Sequence, residues 1–291
     1  MSIRESIDQV FTIQEYTKAP WKEGEVITGG NDEIITVGRE FDILAYYKDE
    51  YDELLSKFEK TFGTLEIDNP THMKRKTRIE KQFYRKFSRL SKNVHFFGSY
   101  HVIWEDGQKK FKVDGDVIIS SSSIGKLPFT FSEVTGEFKC NGISLISLEG
   151  SPKKVGKDFF CIGNKLFTLQ GAPTEVSGDF HCYNNELISL KGAPKKVGGD
   201  FQCSMNVKLT SLEGAPTEVG KNFECFTLRI TTLEGAPQRV GGYFSCVNNQ
   251  YLISLEGAPK HARLLDCRNC SHLPLEEIEK LNKQVPYLVK H

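Results

Sequence analysis

The chain has 291 residues, 38% hydrophobic and 26% charged, and its 38 basic and 38 acidic side chains give a formal net charge of zero. This length fits two domains or one elongated repeat array with a cap, and the neutral balance excludes any whole-molecule bias toward nucleic acid or anionic membrane. No stretch approaches the ~20 apolar residues that span a bilayer, and the opening MSIRESIDQV lacks a signal peptide's apolar core, so the expected location is the cytoplasm with no membrane contact.

Residues 1–40 offer one local signal, a turn at Gly29-Gly30-Asn31-Asp32. Residues 41–62 place Leu44, Tyr47, Tyr51, Leu54, Leu55, Phe58 and Phe62 at helical spacing, with Asp42, Asp49, Glu50, Asp52 and Glu53 making that helix acidic. A second amphipathic helix carries Ile79, Phe83, Phe87 and Leu90. It is basic, with Lys74, Arg75, Lys76, Arg78, Lys81, Arg85, Lys86, Arg89 and Lys92 against Glu80. With Pro70 in the loop between them, the two helices are expected to form a hairpin packed through their apolar stripes. The basic residues, Lys74, Arg75, Lys76, Arg78, Arg85 and Arg89 foremost, form either a solvated, partly ion-paired face or a patch for nucleic acid or an acidic partner. Residues 100–113 then show two short alternating runs around Asp106-Gly107. They predict a β-hairpin that hands the chain into a repeat array and shields its first edge.

From residue 117 to about 270 the sequence repeats with a period of about 21 residues, the signature of a solenoid whose turns cannot bury their apolar faces alone. An apolar residue, any residue and then cysteine recur as Phe138/Cys140, Phe159/Cys161, Phe180/Cys182, Phe201/Cys203, Phe223/Cys225, Phe244/Cys246 and Leu265/Cys267. Side chains alternate along a strand, so Phe159 and Cys161 point inward while Phe160 and Ile162 point outward. Asn164, Asn185, Asn206 and Asn249 follow their cysteines by three residues, where a stacked amide satisfies backbone groups as the chain leaves the strand. Leucine pairs such as Leu166/Leu169 return to the core, Gly-Ala-Pro turns the chain, and Val155, Val176, Val197, Val219 or Val240 closes each coil.

One period before Phe138/Cys140 lie Val117 and Ile119, a degenerate first turn that brings the total to eight. Leu228 stands where an asparagine belongs, and single insertions fall near Val207 and Tyr251; local distortion is expected there. Pro274, Leu275, Ile278 and Leu281 predict a C-terminal helix that covers the last turn, with Pro274 at its first position. The resulting organisation is α+β. A helical N-terminal domain with a short β-hairpin occupies 1–112, a solenoid with one parallel sheet occupies 113–273, and a helical cap occupies 274–291.

The unit F-x-C-x-x-N-x-L-x-x-L resembles the leucine-rich repeat, with Phe and Cys at two of its leucine positions. Its short period resembles bacterial-type repeats, including those of secreted effectors that bind host proteins. The Leu-Glu-Gly-Ala-Pro variant is similar to repeat proteins encoded by tailed phages and by gut Bacteroides-type bacteria. The resemblance implies a leucine-rich-repeat solenoid that inhibits or modulates a bacterial host protein, such as one of a defence system, in the host cytoplasm if the protein is phage-encoded.

Two outward columns of the sheet can be read directly. One runs Lys139, Phe160, His181, Gln202, Glu224, Ser245, Asp266, and the other Asn141, Ile162, Tyr183, Ser204, Phe226, Val247, Arg268. A sheet face left to water is mostly polar, so Phe160, Ile162, Tyr183, Phe226 and Val247 require a reason. Either they cover one another or a neighbouring segment, or the face binds a protein partner. The candidate binding set is Phe160, Ile162, His181, Tyr183, Gln202, Glu224, Phe226 and Val247.

Signals for chemistry are weaker. Seven of the eight cysteines occupy one inward repeat position, which predicts buried free thiols rather than disulfides. Cys267-x-x-Cys270 with His261 and His272 has the composition of a zinc site, but the repeat phase already accounts for Cys267 as a core residue and puts Cys270 at the asparagine position. Gly98-Ser99 followed by Asp114-Gly115-Asp116-Val117 resembles the nucleotidyltransferase pattern, whose carboxylates hold magnesium. His95 and His101 have no partner at a recognisable spacing, and no nucleophile motif is present. The expectation is therefore a non-catalytic protein-binding solenoid without cofactor or metal. The alternative is a nucleic-acid-associated protein or nucleotidyltransferase acting through the N-terminal third.

Overall fold

The computed structural model describes residues 94–120 and 124–290, strands β1 (Val26–Thr28) and β2 (Ile34–Thr36), and single helical positions at Ser56 and Lys74. The chain divides into two compact units, one of residues 1–93 and 97–102, the other of 94–96 and 103–291. In the first, β1 and β2 pair antiparallel with Ile27 opposite Ile35, on either side of the predicted Gly29–Asp32 turn.

The second unit is a parallel β-solenoid, and this corrects the α+β class expected above. Among its described residues only one helix is present, α1 (Leu275–Asn282). The helical hairpin expected over 41–92, with the basic residues Lys74, Arg75, Lys76, Arg78, Arg85 and Arg89, lies outside the described residues save for Ser56 and Lys74. Its amphipathic pattern therefore does not define the class; the repeat does.

Strands β3 (Val94–Glu105) and β4 (Gln108–Ile119) pair across a two-residue turn, Asp106 and Gly107, whose φ angles of 53° and 70° suit a tight hairpin. The turn is tied down by charge. The buried Lys110 ammonium donates to Glu105 at 3.1 Å and to Asp106 at 2.8 Å, and Lys153 from a later coil reaches Asp106 at 3.0 Å. These two lysines hold the Asp106 carboxyl at about 2.

β4 bends at Gly115 (φ 143°) and so serves two ladders. Its second half starts the phenylalanine ladder, which continues in parallel through β6 (Phe138–Lys139), β8 (Phe159–Phe160), β10 (Phe180–His181), β12 (Phe201–Gln202), β14 (Phe223–Glu224), β16 (Tyr243–Ser245), β17 (Leu264–Asp266) and β18 (Leu288–Lys290). Its first half starts the valine ladder of β5 (Phe131–Val134), β7 (Lys154–Val155), β9 (Glu175–Val176), β11 (Lys196–Val197), β13 (Glu218–Val219) and β15 (Arg239–Val240). A third segment of each coil, the Leu-x-x-Leu stretch, also bonds from coil to coil, as in Ile188 N–H to Phe167 C=O at 3.0 Å. Each coil thus has three sides.

The interior is a set of columns. Phe138, Phe159, Phe180, Phe201, Phe223 and Phe244 stack with centroids 5.0–5.5 Å apart and planes within 18° of parallel. All eight cysteines are buried free thiols. Six of the seven repeat cysteines donate S–H to the carbonyl one coil on, for example Cys140 to Phe160 at 3.3 Å. The asparagines join successive coils. Asn164 Nδ2 donates to Cys140 C=O (2.8 Å) and Cys161 C=O (3.1 Å), while its Oδ1 accepts the N–H groups of Ile143 and Leu145.

Departures from the repeat turn out to be coupled. After the insertion near Val207, Leu209 N–H bonds to Asn206 C=O within its own coil at 2.9 Å; after the one near Tyr251, Leu252 N–H bonds to Asn249 C=O at 3.1 Å. The following coils carry Leu228 and Cys270 in place of the asparagine, as the first cysteine coil carries Ile143. Of the two N–H groups that such an asparagine would serve, the leucine's is thereby already bonded within its own coil.

At the C-terminal end α1 buries Ile278 and Leu281, whereas Leu275 is exposed and Pro274 stands at the N-cap rather than the first helical position. Glu277 fastens the helix to the last coil by accepting from the Ser254 hydroxyl (2.6 Å) and the Leu255 N–H (3.1 Å). β18 then adds a parallel strand that the sequence did not signal.

Candidate functional site

The three sides differ in what they show to solvent. On the valine side the outward column alternates in sign: Lys112–Glu133, Lys154–Glu175 and Lys196–Glu218 pair at 2.8, 3.0 and 2.9 Å, and Arg239 follows. Each carboxylate has its own lysine, so every negative charge of the column is neutralised and only Arg239 is left over.

The phenylalanine side is different. Because i, i+2 and i+4 share a face, it presents three outward columns. The first is Asp116, Glu137, Asp158, Asp179, Asp200, Asn222 and Tyr243, immediately before Val117 and each buried phenylalanine of the ladder. The second and third contain the eight residues singled out in the sequence. Phe160, Ile162, His181, Tyr183, Gln202, Glu224, Phe226 and Val247 all lie on this one side and all are half-buried.

These side chains lean on one another. Lys139 pairs with Glu137 and sits 5.1 Å from the Phe160 ring centroid. The Phe160 ring meets His181 edge-on at 5.1 Å, and His181 in turn lies 6.2 Å from Tyr183. Further along, Glu224 accepts from the Gln202 amide and, at 2.6 Å, from the Tyr243 hydroxyl. That bond to a carboxylate pushes the Tyr243 phenol up to about 12. At the end of the face Arg268 forks onto Asp266, with Nε at 2.9 Å from Oδ1 and the terminal nitrogen 2.6 Å from Oδ2, and holds the aspartate below its usual value.

The acidic first column was not read from the sequence, although the period marks it two residues before Phe160 and its equivalents. Its four aspartates work on the backbone, while Glu137 pairs with Lys139. Oδ1 of Asp116, Asp158, Asp179 and Asp200 accepts the N–H one coil on at 2.7–2.9 Å, from Glu137, Asp179, Asp200 and Asn222 respectively. Glycine makes room for this: a Cβ at Gly199 would lie 1.9 Å from Asp179 Oδ1.

The leucine side carries an exposed apolar column. Ile146 (54%), Phe167 (45%) and Ile188 (56%) follow in successive coils, before Thr210 and Thr231 interrupt the column. This patch was hidden in the sequence inside the run Leu-Ile-Ser-Leu.

The remaining sequence candidates are placed as follows. Asp114 accepts from the Thr135 hydroxyl at 2.8 Å, and Asp116 belongs to the acidic column. Cys270 Sγ donates to Cys246 C=O at 3.3 Å in an asparagine's place, His272 Nδ1 lies against Gln250 C=O, and His261 is exposed. Among the described residues no His, Cys, Asp or Glu cluster is arranged to hold a metal ion, and no helix is long and apolar enough to cross a membrane.

No protein-family model, curated protein or solved structure matches the chain. Function is therefore read from the residues.

Proposed function

We propose that this solenoid is a non-catalytic binding protein whose phenylalanine side engages a protein partner. The observation that carries the reading is the cluster of Phe160, Ile162, His181 and Tyr183, rings and aliphatics side by side on a sheet face held by a fully stacked core. Anchors of this kind, flanked by polar groups such as Gln202 and Glu224, are what protein interfaces use. Backbone rigidity lowers the ordering cost of association.

The resemblance of the repeat to leucine-rich repeats, and of its Leu-Glu-Gly-Ala-Pro variant to phage-encoded proteins, supports a finer reading: a modulator or inhibitor of a bacterial host protein, acting in the cytoplasm. The test is capture from bacterial lysate by the full chain, compared with the Phe160→Ala/Tyr183→Ala double variant. A stoichiometric protein held by the first and lost by the second is expected, with the circular dichroism of both unchanged. Equal capture by both variants removes this face from the interaction.

A further inference from the structure

The first column of the phenylalanine side carries more charge than its hydrogen bonds require. Asn222 holds the same position as Asp200 one coil earlier, and its amide Oδ1 accepts the Tyr243 N–H at 3.0 Å. An acceptor is what the fold needs there; a charge is not. Yet Asp158, Asp179 and Asp200 follow one another at about 4.8 Å per coil, a spacing at which like charges repel. Lys221 approaches Asp179 only to 3.6 Å, and Lys157 approaches Asp116 only to 3.9 Å. Among the described residues no lysine or arginine pairs with Asp158, Asp200 or Glu224. The valine side, where every glutamate of the column has its lysine, shows that this chain neutralises such columns when nothing else does.

Beside these carboxylates lie aromatic rings. The Lys139 ammonium over the Phe160 ring demonstrates within the molecule that the platform takes a cation. Among the described residues, Tyr183 and Phe226 have no cation of the chain's own over their rings.

We propose that this side receives a cationic segment of its partner, whose lysine or arginine heads meet Asp158, Asp179, Asp200 and Glu224 while their stems lie along Phe160, His181 and Tyr183. The proposal rests on the binding-face reading above and names the chemistry of what binds there.

Anisotropy of a short labelled peptide of alternating arginine and serine, with a glutamate–serine peptide beside it, tests this on the full chain. The arginine peptide is expected to bind, more weakly as salt rises, and the glutamate peptide not to. Asp158→Asn/Asp179→Asn/Asp200→Asn keeps every Oδ1 acceptor, as Asn222 does naturally, and is expected to weaken binding about tenfold, the loss for three solvent-exposed charge contacts. Glu133→Gln/Glu175→Gln/Glu218→Gln removes the same charge from the valine side and should leave binding unchanged. If the triple asparagine variant fails to fold, the single Asp158→Asn and Asp200→Asn variants read the same loss in smaller steps. Undiminished binding by the asparagine variants, an equal loss in the glutamine variant, or no preference for the arginine peptide overturns the proposal. A protein captured through Phe160 and Tyr183 but still held by the triple asparagine variant overturns the cationic segment and leaves the binding face standing.

Discussion

Replacing Asn206 with leucine tests whether the asparagine column holds the coils together. Asn206 is fully buried. Its Oδ1 accepts the N–H groups of Asn185 and Leu187, both at 3.2 Å, and its Nδ2 donates to Cys182 C=O (3.2 Å) and Cys203 C=O (2.8 Å). Leucine fills the space but leaves two buried N–H groups unpaired, at about 1–3 kcal/mol each, so the expected loss is about 2–6 kcal/mol. The chain supplies its own comparison at Leu228, where one of the two donors that an asparagine would serve is already bonded as Leu209 N–H to Asn206 C=O. Leu228→Asn should therefore change stability by no more than the single remaining donor is worth, about 1–3 kcal/mol, and by less than Asn206→Leu does. Urea denaturation followed by circular dichroism measures both. Because solenoid coils interact mainly with their neighbours, hydrogen exchange should also quicken at Asn185 and Leu187 in Asn206→Leu. A loss below about 1 kcal/mol, or unchanged exchange at those two amides, refutes the argument.

Ser151 stands where the other coils have Ala172, Ala193, Ala215, Ala236 and Ala258, and its buried hydroxyl has no hydrogen-bond partner among the described residues; Ser151→Ala should raise stability by about 1–3 kcal/mol in the same denaturation assay. Burial pushes the thiols of Cys161, Cys182 and Cys225 well up, and the contact between Cys246 and Cys270 raises the first and lowers the second. A thiol reagent applied to the native protein should thus modify Cys270 ahead of the other seven cysteines, and Cys270→Ala should abolish the fast phase. Asp266 is held below its ordinary value of 3.8 by Arg268. A depressed carboxylate contributes stability that is complete above its unfolded pKa and is lost as pH falls through the folded one. The acid-induced loss of stability below about pH 4 should accordingly be shallower in Asp266→Asn than in the parent, measured by denaturation at stepped pH.

The interior was legible because the repeat returns one residue type to one inward place. Phe159, Cys161, Asn164, Leu166 and Val176 could be assigned to the core from phase alone. The valine ladder was not legible, since strands of two residues such as Lys154–Val155 are too short for alternation to declare itself. The same brevity hid β18. Asp158 and Asp179 lie just before a strand in a Gly-containing stretch, a composition that reads as turn, and the sheet face they begin became apparent only with the coil closed. The observed class differs from the expected one because amphipathic spacing over 41–92 is a local property, whereas a stacked array is a global one.

Variation between coils separates what folding demands from what it permits. Inward, the six stacked phenylalanines and the repeated leucines and valines barely change from one coil to the next, because each must fit the identical residue above and below. On the valine side the outward column changes too, but by strict alternation of sign, a pattern fully explained by pairing between neighbouring coils. The phenylalanine side obeys neither rule: Lys139, Phe160, His181, Gln202, Glu224, Ser245 and Asp266 never repeat, although the backbone beneath them does so within a common parallel register. Neither packing nor mutual neutralisation accounts for that order. A non-repeating surface on a repeating scaffold is the arrangement expected where a face must match one partner, and it favours this side over the leucine side, where Ile146, Phe167 and Ile188 set one apolar residue after another at the same position.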